Sequence, residues 1–491
     1  MLRSTGWPLA LAFALAWAIL PLMPALASGE IPGQPYTDLY PSIWGLDVFC
    51  AGLPAFTTHT ARLGAPEGIG FYYSSPLHGV AGWPVWAIFG PVAAYVATLV
   101  LARAATVLCA FGLLRALTLS PVAAVGGALC FGASPFFHGY AVEGIVEGTD
   151  GWTLALWAWM VVRNRRAGAV VAFALTILSS WYLGMVACLL AIVLGARYPA
   201  ARWSLLGLVL TSPALWAFSQ AFGGNVPLDP AIRVAMSAPL DLPRPGLAEG
   251  LNPFAITTFI GVAAAALALP AAKRQPVWAV GAVLCAILST GRGPWWDLPV
   301  LELVRFPYRW HAGTLLCLAP LVADTAERMG RPLLACLPFV EGLLLSPIEP
   351  IVPSAPRELP AIYEQIEATR LLEVPGPVAM APGTPNASRP RARWILYAQI
   401  EHGAASPWTL DFNGISRDRD SRWLSSFASW DPLVRGVPQA PDVAAARAAG
   451  VQEVLVHRDL LQENADSFEA ALVAGGATEI AREGTLALYQ L

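Results

Sequence analysis

The sequence is 491 residues long, and 56% of its residues are hydrophobic while only 13% are charged. Soluble domains carry about 25% charged residues, so this composition excludes an ordinary water-soluble protein and favours one embedded in a lipid bilayer. The net charge of −3 also excludes a nucleic-acid-binding protein, which would need a strongly basic surface.

Apolar runs long enough to cross a bilayer recur along residues 1–347. The first run, 7–27, ends in a motif that resembles a signal-peptidase site, but it exceeds the apolar core of a signal peptide, and we favour an uncleaved helix. Segment 77–90 precedes Pro91 and is interpreted as a re-entrant or interfacial piece. The stretch 167–196 is too long for one ~30 Å span, so we divide it at Trp181. About 11 helices result, and the other runs are 91–114, 121–138, 151–162, 203–220, 254–270, 276–290, 310–327 and 331–347.

The charges between these runs predict the orientation of the chain. Placing the N-terminus inside puts a set of basic residues on the cytoplasmic side, as the positive-inside rule requires, and most loop acids on the other. An odd number of helices then places the C-terminus outside. We therefore predict a polytopic α-helical protein of the bacterial cytoplasmic (inner) membrane. The basic residues are Arg3, Arg115, Arg163, Arg165, Arg166, Arg197, Arg202, Lys273, Arg274, Arg328 and Arg331.

The composition changes at residue 348, after which several prolines form a stiff connector. Segments 443–449 and 467–473 have helical patterns, whereas 450–457 and 485–489 have the pattern of strands. The sequence thus predicts two domains. Residues 1–347 form the transmembrane domain with a long first outer loop, 28–76, and residues 348–491 form an extracytoplasmic α/β domain.

Two acids of the first outer loop, Asp38 and Asp47, lie among aromatic residues. Carboxylates near the membrane surface can take a proton from an acceptor hydroxyl or hold a divalent cation. The alternative for Asp38 is that it caps the helix that follows it.

The second outer loop contains Glu143, Glu147 and Asp150 within eight residues. On a continuous helix, Glu143 and Glu147 would share one face, where like charges require a cation or a proton between them. Alternatively, the loop is simply a solvated hairpin. His59, His78 and His138 are scattered along the outer loops and are interpreted as structural.

Arg305 and Arg309 flank Pro307 at the start of the tenth predicted helix. Two guanidinium groups at a helix N-terminus favour binding of a phosphate. They could instead anchor to lipid head groups or pair with Asp297 and Glu302. Arg292 is a weaker candidate for the same role, and His402 is a candidate to line a cleft in the C-terminal domain.

An early outer-loop acid (Asp38), an acidic second outer loop (Glu143, Glu147) and an outer soluble domain together resemble the GT-C superfamily of membrane glycosyltransferases. Residues 38–160 and 305–363 also resemble a group of bacterial multi-pass proteins related to that superfamily and to YfhO-like proteins. The motifs that carry this likeness are Pro66-Glu67-Gly68, Gly90-Pro91, Pro135-Phe136, Gly144 to Glu147, Arg305 to Arg309 and Glu341.

The resemblance implies transfer of a sugar from a polyprenyl-phosphate carrier to a glycan, lipid or protein acceptor of the cell envelope. Asp38 would be the general base, assisted by Glu143 or Glu147, while Arg305 and Arg309 would hold the carrier phosphate. A transporter or flippase of a lipid-linked saccharide, and a non-catalytic envelope assembly protein, are the alternatives.

Overall fold

The structure is a computed structural model that describes residues 6–35, 38–54, 58–65, 68–222, 257–298, 301, 304, 306–374, 394–407, 441–461 and 464–491. Its contacts divide the chain into two compact units. The helical unit consists of Met1–Gln34, Ser74–Leu215 and Pro227–Ala355, and the sheet unit of Pro35–Tyr73, Trp216–Val226 and Pro356–Leu491. Arg305 and the motif Pro66-Glu67 lie outside the described residues.

The helical unit is built almost wholly from apolar helices, and helix Gly207–Phe222 begins in it. Its other α-helices are Trp7–Ile19, Met23–Ser28, Pro76–Ala116, Pro121–Gly132, Pro135–Val142, Gly151–Val162, Arg166–Ser179, Trp181–Leu194, Pro199–Ser204, Val262–Ala272, Pro276–Ser289, His311–Arg328 and Leu337–Leu345. The 3₁₀ turns are Leu20–Leu22, Val146–Gly148, Pro294–Asp297, Pro307–Trp310 and Pro332–Cys336.

Two helices among the described residues, Trp7–Ser28 and Pro76–Ala116, are long and apolar enough to cross a membrane. A third span results if Pro121–Gly132 and Pro135–Val142, which are bent by 43°, count as one. Large apolar side chains stand exposed on this unit, for example Ile88 at 73% and Ile192 at 70%. Water would disfavour such a surface, whereas lipid accommodates it. The number of 11 spans and the orientation stay predictions.

Two predicted breaks are confirmed. Within Pro76–Ala116 the chain kinks at Gly90, whose φ of 82° and ψ of 178° are non-helical, and the proline after it cannot donate a helical hydrogen bond. The stretch 167–196 divides at Ser180, which has the extended backbone φ −162°, ψ 121° and separates the helices Arg166–Ser179 and Trp181–Leu194.

A short antiparallel pair also belongs to the helical unit. Strand β1 (Ile31–Pro32) pairs with β4 (Ser354–Ala355), with Ile31 opposite Ala355. This pairing ties the end of the first helical segment to the end of the last one. The second short pair, β2 (His59–Thr60) with β3 (Ile69–Gly70), lies in the sheet unit.

The sheet unit contains a four-stranded sheet in the order β5-β6-β8-β7. Strand β5 (Leu371–Val374) runs parallel to β6 (Glu453–His457), which is antiparallel to β8 (Leu486–Gln490), and β8 is antiparallel to β7 (Thr478–Glu483). The α-helices of this unit are Leu39–Gly52, Trp394–His402, Val443–Ala448, Arg458–Leu461 and Ala465–Ala474, and Ala361–Gln365 is a 3₁₀ turn. The predicted alternation of helix and strand at the chain end is confirmed.

Both faces of this sheet are buried. Alternate residues of β5, Leu372 and Val374, pack against Phe468 and Leu472 on one face, while Leu371 packs with Ile362 on the other. Because both faces are covered, β5 and β6 contain consecutive apolar residues rather than a strict alternation.

Candidate active site

The acidic hairpin of the helical unit folds through a sharp helix end. Helix Pro135–Val142 stops at Gly144, whose φ of 67° is left-handed, and the N–H of Ile145 donates to the carbonyl of Tyr140 (2.9 Å). Glycine adopts this conformation without steric cost. Glu147 then lies in the separate turn Val146–Gly148. The prediction that Glu143 and Glu147 share one helix face is therefore wrong, because the helix ends between them.

Glu147 forms an ion pair with Arg309 across 162 residues of sequence. Arg309 Nη2 lies 3.0 Å from Glu147 Oε1, and the side chains are 7% and 17% exposed respectively. Ser74 donates its hydroxyl to the other carboxylate oxygen, Glu147 Oε2, at 3.2 Å. The partner of Arg309 is thus an acid of the second outer loop, not the predicted alternatives Asp297 or Glu302.

Aromatic rings surround the Arg309 guanidinium. Its central carbon lies 4.2 Å from the ring centroid of Tyr182, 4.9 Å from that of Phe306 and 5.8 Å from that of Tyr140. Such rings attract the cation through their π-faces while they exclude water. Among the described residues, the Arg309 Nε–H has no hydrogen-bond partner. A buried guanidinium with an unused donor is suited to receive an anionic oxygen.

A second buried acid, Asp150, lies beside this pair. It accepts a hydrogen bond from Ser75 (3.1 Å), neighbour of Ser74, and contacts His78 Nδ1 at 3.0 Å. Trp152 donates to its other oxygen at 3.1 Å. If Nδ1 carries the proton, His78 Nε2 has a free lone pair, and the described residues offer this nitrogen no partner. A carboxylate behind an imidazole is the arrangement that orients a base.

The other predicted residues of the helical unit lie apart from this pair or outside the described residues. Glu143 is 1% exposed at the end of helix Pro135–Val142. Arg292 is exposed in the segment between helix Pro276–Ser289 and the turn Pro294–Asp297. Arg305 is outside the described residues, so the predicted pairing of two arginines rests on Arg309 alone.

In the sheet unit, Asp38 occupies the N-cap position of helix Leu39–Gly52, but its side chain makes no capping hydrogen bond. The alternative role as a cap is therefore not seen. Asp47, in the same helix, is buried and pairs with Arg62, whose Nη1 lies 2.6 Å from Asp47 Oδ2. That ion pair gives Asp47 a structural partner within its own unit.

His402 belongs to a buried cluster around Glu373. His457 Nε2 lies 2.8 Å and the Tyr363 hydroxyl 3.2 Å from Glu373 Oε2, and His402 Nε2 lies 3.8 Å from Glu373 Oε1. Burial alone would raise the pKa of Glu373, but its hydrogen bonds with His402 and His457 outweigh that effect and lower the pKa. The Ala404 N–H donates to His402 Nδ1 (3.1 Å), which leaves the proton of His402 on Nε2, toward Glu373.

Several of these residues escaped the sequence analysis. Ser74, Ser75 and the ring of Tyr182 carry no motif, and Glu373 lies inside an apolar strand. His78 was interpreted as structural, and its proximity to Asp150 was the missing information. Among the described residues, no group of three or more His, Cys, Asp or Glu side chains is placed to hold a metal ion.

No protein-family description and no curated protein sequence matches the chain. Solved structures do. The cryo-EM structure of the mycobacterial arabinofuranosyltransferase AftD aligns with a TM-score of 0.61 and 17% identity, over 98% of this chain and 39% of AftD. The chain thus spans about two fifths of that enzyme.

The apo oligosaccharyltransferase of Archaeoglobus fulgidus aligns with a TM-score of 0.55 and 11% identity, over 96% of this chain and 71% of the enzyme. The same archaeal enzyme, AglB, in complex with an inhibitory peptide and a dolichol-phosphate, aligns at 0.52 with 12% identity, over 99% of this chain and 74% of AglB. These structures are GT-C glycosyltransferases. The chain has a GT-C-like fold. The GT-C resemblance inferred from the sequence is confirmed at the level of the fold, and the link to YfhO-like proteins stays a prediction.

Proposed function

We propose that this GT-C-like protein transfers a sugar from a polyprenyl-phosphate carrier to an acceptor of the cell envelope, on the outer face of the bacterial inner membrane. The observation that carries the proposal is the buried Arg309, held by Glu147 and surrounded by aromatic rings, with its Nε–H unused. The fold, shared with sugar transferases, supports the same reaction class.

In the proposed reaction the acceptor oxygen forms a bond to the anomeric carbon of the sugar while the bond from that carbon to the phosphate oxygen breaks. Arg309 binds the phosphate that leaves with the polyprenol, and a guanidinium stabilises the charge that develops there. Asp38 takes the proton of the acceptor hydroxyl. Glu147 positions Arg309, and Glu143 remains a proposed assistant to the base.

The test is a transfer assay with purified protein, labelled polyprenyl-phosphate sugars and cell-envelope extract as acceptor. Asp38→Asn is expected to lower the rate about 10²-fold or more, the usual contribution of a general base. Arg309→Lys keeps the charge but loses the planar donor fork, so turnover is expected to fall by at least about tenfold. Arg274→Lys is the matched control, since Arg274 also pairs with a carboxylate, Asp324 at 2.7 Å.

Turnover that survives Asp38→Asn would contradict the proposed base. Equal losses in Arg309→Lys and Arg274→Lys would contradict a phosphate role for Arg309. Sugar movement across liposomes without transfer would replace the enzyme by a transporter, and no sugar release or movement with any carrier would favour an assembly protein.

A further inference from the structure

The sheet unit contains a cavity of about 500 Å³ that the proposed reaction does not yet use. Its volume falls in the roughly 300–1,000 Å³ range of small-molecule sites. Aromatic and hydrogen-bonding side chains share its lining, chiefly Tyr40, Tyr363, Trp394, His457, Asp459 and Glu483.

The aromatic side chains of this cavity are held in fixed orientations. The Tyr40 ring meets Trp394 edge to face, with centroids 5.2 Å apart and an interplanar angle of 82°, and its hydroxyl donates to the Pro356 carbonyl at 3.1 Å. Trp394 is only half-buried, so part of the indole is open to a ligand. Rigid π-faces attract polarised C–H groups, which cover one face of many sugar rings.

The polar side chains are fixed as well. His457 is bonded to the buried Glu373, and Glu483 accepts the backbone N–H of Ile362 at 2.6 Å. Carboxylates and imidazoles held in this way can hydrogen-bond to hydroxyl groups at low entropic cost. Among the described residues that line the cavity, none is Arg or Lys. This acidic lining disfavours a phosphate group and favours a neutral, hydroxyl-rich ligand.

The position of the cavity along the chain relates it to Asp38. Pro35 and Tyr40 both line it, and Asp38 lies between them in sequence, at the start of the helix that carries Tyr40. Consecutive Cα atoms are 3.80 Å apart, so the Asp38 backbone lies within about 7.6 Å of that of Tyr40. A ligand in the cavity therefore has a candidate base close to its wall.

We propose that this cavity binds a saccharide, and that the saccharide is the acceptor, or part of the acceptor, of the transfer. The second part rests on the proposed function, whereas binding of the saccharide does not. The polyprenyl-phosphate donor is excluded from the cavity because of its negative charge.

The experiment measures binding by tryptophan fluorescence and calorimetry on the full-length protein in detergent. The probes are a panel of neutral mono- and disaccharides of arabinose, mannose, galactose and glucose, with undecaprenyl phosphate for comparison. Wild-type protein is expected to bind at least one saccharide saturably. Trp394→Ala and Glu483→Gln are expected to raise its Kd by about tenfold, the loss of one good contact.

Glu364→Gln is the matched control, since Glu364 is an exposed acid of the turn Ala361–Gln365 that does not line the cavity. Its Kd should equal that of wild type. Glu483→Gln changes one exposed side chain and keeps an acceptor oxygen for Ile362, so an unchanged unfolding temperature will show that it folds. No binding by any saccharide, equal binding by all variants, or displacement of the saccharide by undecaprenyl phosphate would overturn the site.

The two proposals fail in different ways. If saccharide binding depends on Trp394 and Glu483 but transfer does not depend on Arg309 and Asp38, the cavity stands and the proposed reaction fails. If transfer depends on Arg309 and Asp38 while Trp394→Ala leaves the KM for the acceptor unchanged, the reaction stands and the cavity is not its acceptor site.

Discussion

The two units each bury a carboxylate, but they neutralise it differently. In the helical unit Glu147 pairs with Arg309 at 3.0 Å, a cation at every accessible pH. In the sheet unit Glu373 is bonded to His457 at 2.8 Å, with His402 nearby, and histidine changes its charge near neutral pH. The first network therefore holds a permanent charge, whereas the second can gain or lose protons.

This difference matches the ligands that we propose for the two units. A permanent guanidinium suits a phosphate, whose negative charge must be bound at all working pH values. A histidine–carboxylate cluster beside aromatic rings suits hydroxyl groups, which donate and accept hydrogen bonds. The comparison can be broken by removing one partner from each network.

The largest expected effect follows from removing Glu147. Glu147→Ala leaves the Arg309 cation buried with no carboxylate, and breaking such a pair costs about 3–5 kcal/mol of the free energy of unfolding. Replacing both residues by methionine should recover most of that loss, because no unpaired charge remains. Unfolding by heat or SDS in mixed micelles measures both variants.

The control is Asp324→Ala, which removes the partner of Arg274 and Arg328. Those side chains are 38% and 61% exposed, so water solvates them and the loss should stay near or below about 1 kcal/mol. Equal losses for Glu147→Ala and Asp324→Ala would contradict the view that the Glu147–Arg309 pair is a buried one.

A smaller effect is expected from pH in the sheet unit. The pKa of Glu373 is lowered from its usual 4.5, so the bonded carboxylate stabilises the fold above pH 4.5. This stabilisation is lost as the pH falls through the lower, folded-state value. Unfolding temperatures measured from pH 7 to pH 3 should drop more steeply below pH 4.5 for wild type than for Glu373→Gln.

Glu453 provides a contrast of opposite sign on the neighbouring strand β6. Burial raises its pKa above 4.5, so ionisation of Glu453 costs stability as the pH rises through that range. Glu453→Gln should therefore gain stability relative to wild type at neutral pH, where Glu373→Gln loses it. Parallel pH profiles for the two variants would contradict both assignments.

Local pattern predicted the helical elements well and the pairings poorly. The run 151–162 matches helix Gly151–Val162, and the breaks at Gly90 and near Trp181 were predicted because glycine, proline and excess length act locally. Strand β7 was missed, since it is an edge strand that is exposed on both faces and so alternates weakly. Strand β5 was missed because a four-residue apolar run has no period of its own.

The candidate site shows the same limit. Glu147 and Arg309 were each singled out from composition near a helix end, but 162 residues separate them, and no local signal pairs them. Their ion pair depends on how helices Gly151–Val162 and His311–Arg328 pack in the helical unit. Glu373 and His457 are 84 residues apart and meet only because β5 runs parallel to β6.

The smallest expected effect tests whether local interactions behave alike in the two units. Asp442 caps helix Val443–Ala448 in the sheet unit, where its Oδ1 accepts the Ala445 N–H at 2.9 Å. Ser120 caps helix Pro121–Gly132 in the helical unit, where its hydroxyl accepts the Ala123 N–H at 3.4 Å. Asp442→Ala should cost about 1 kcal/mol, a typical value for a lost cap, and the longer bond of Ser120 should be worth less to its helix.

The matched control for Asp442 is Asp442→Asn, which keeps the acceptor oxygen and should stay close to wild type in the same unfolding measurement. A loss in Asp442→Asn equal to that in Asp442→Ala would show that charge, not the capping bond, stabilises this helix. Ser120 also donates to the Glu327 carboxylate, so Ser120→Ala removes two interactions. A loss there greater than that of Asp442→Ala would therefore assign the excess to Glu327, and Glu327→Gln, which keeps an acceptor for the Ser120 hydroxyl, would then recover part of it.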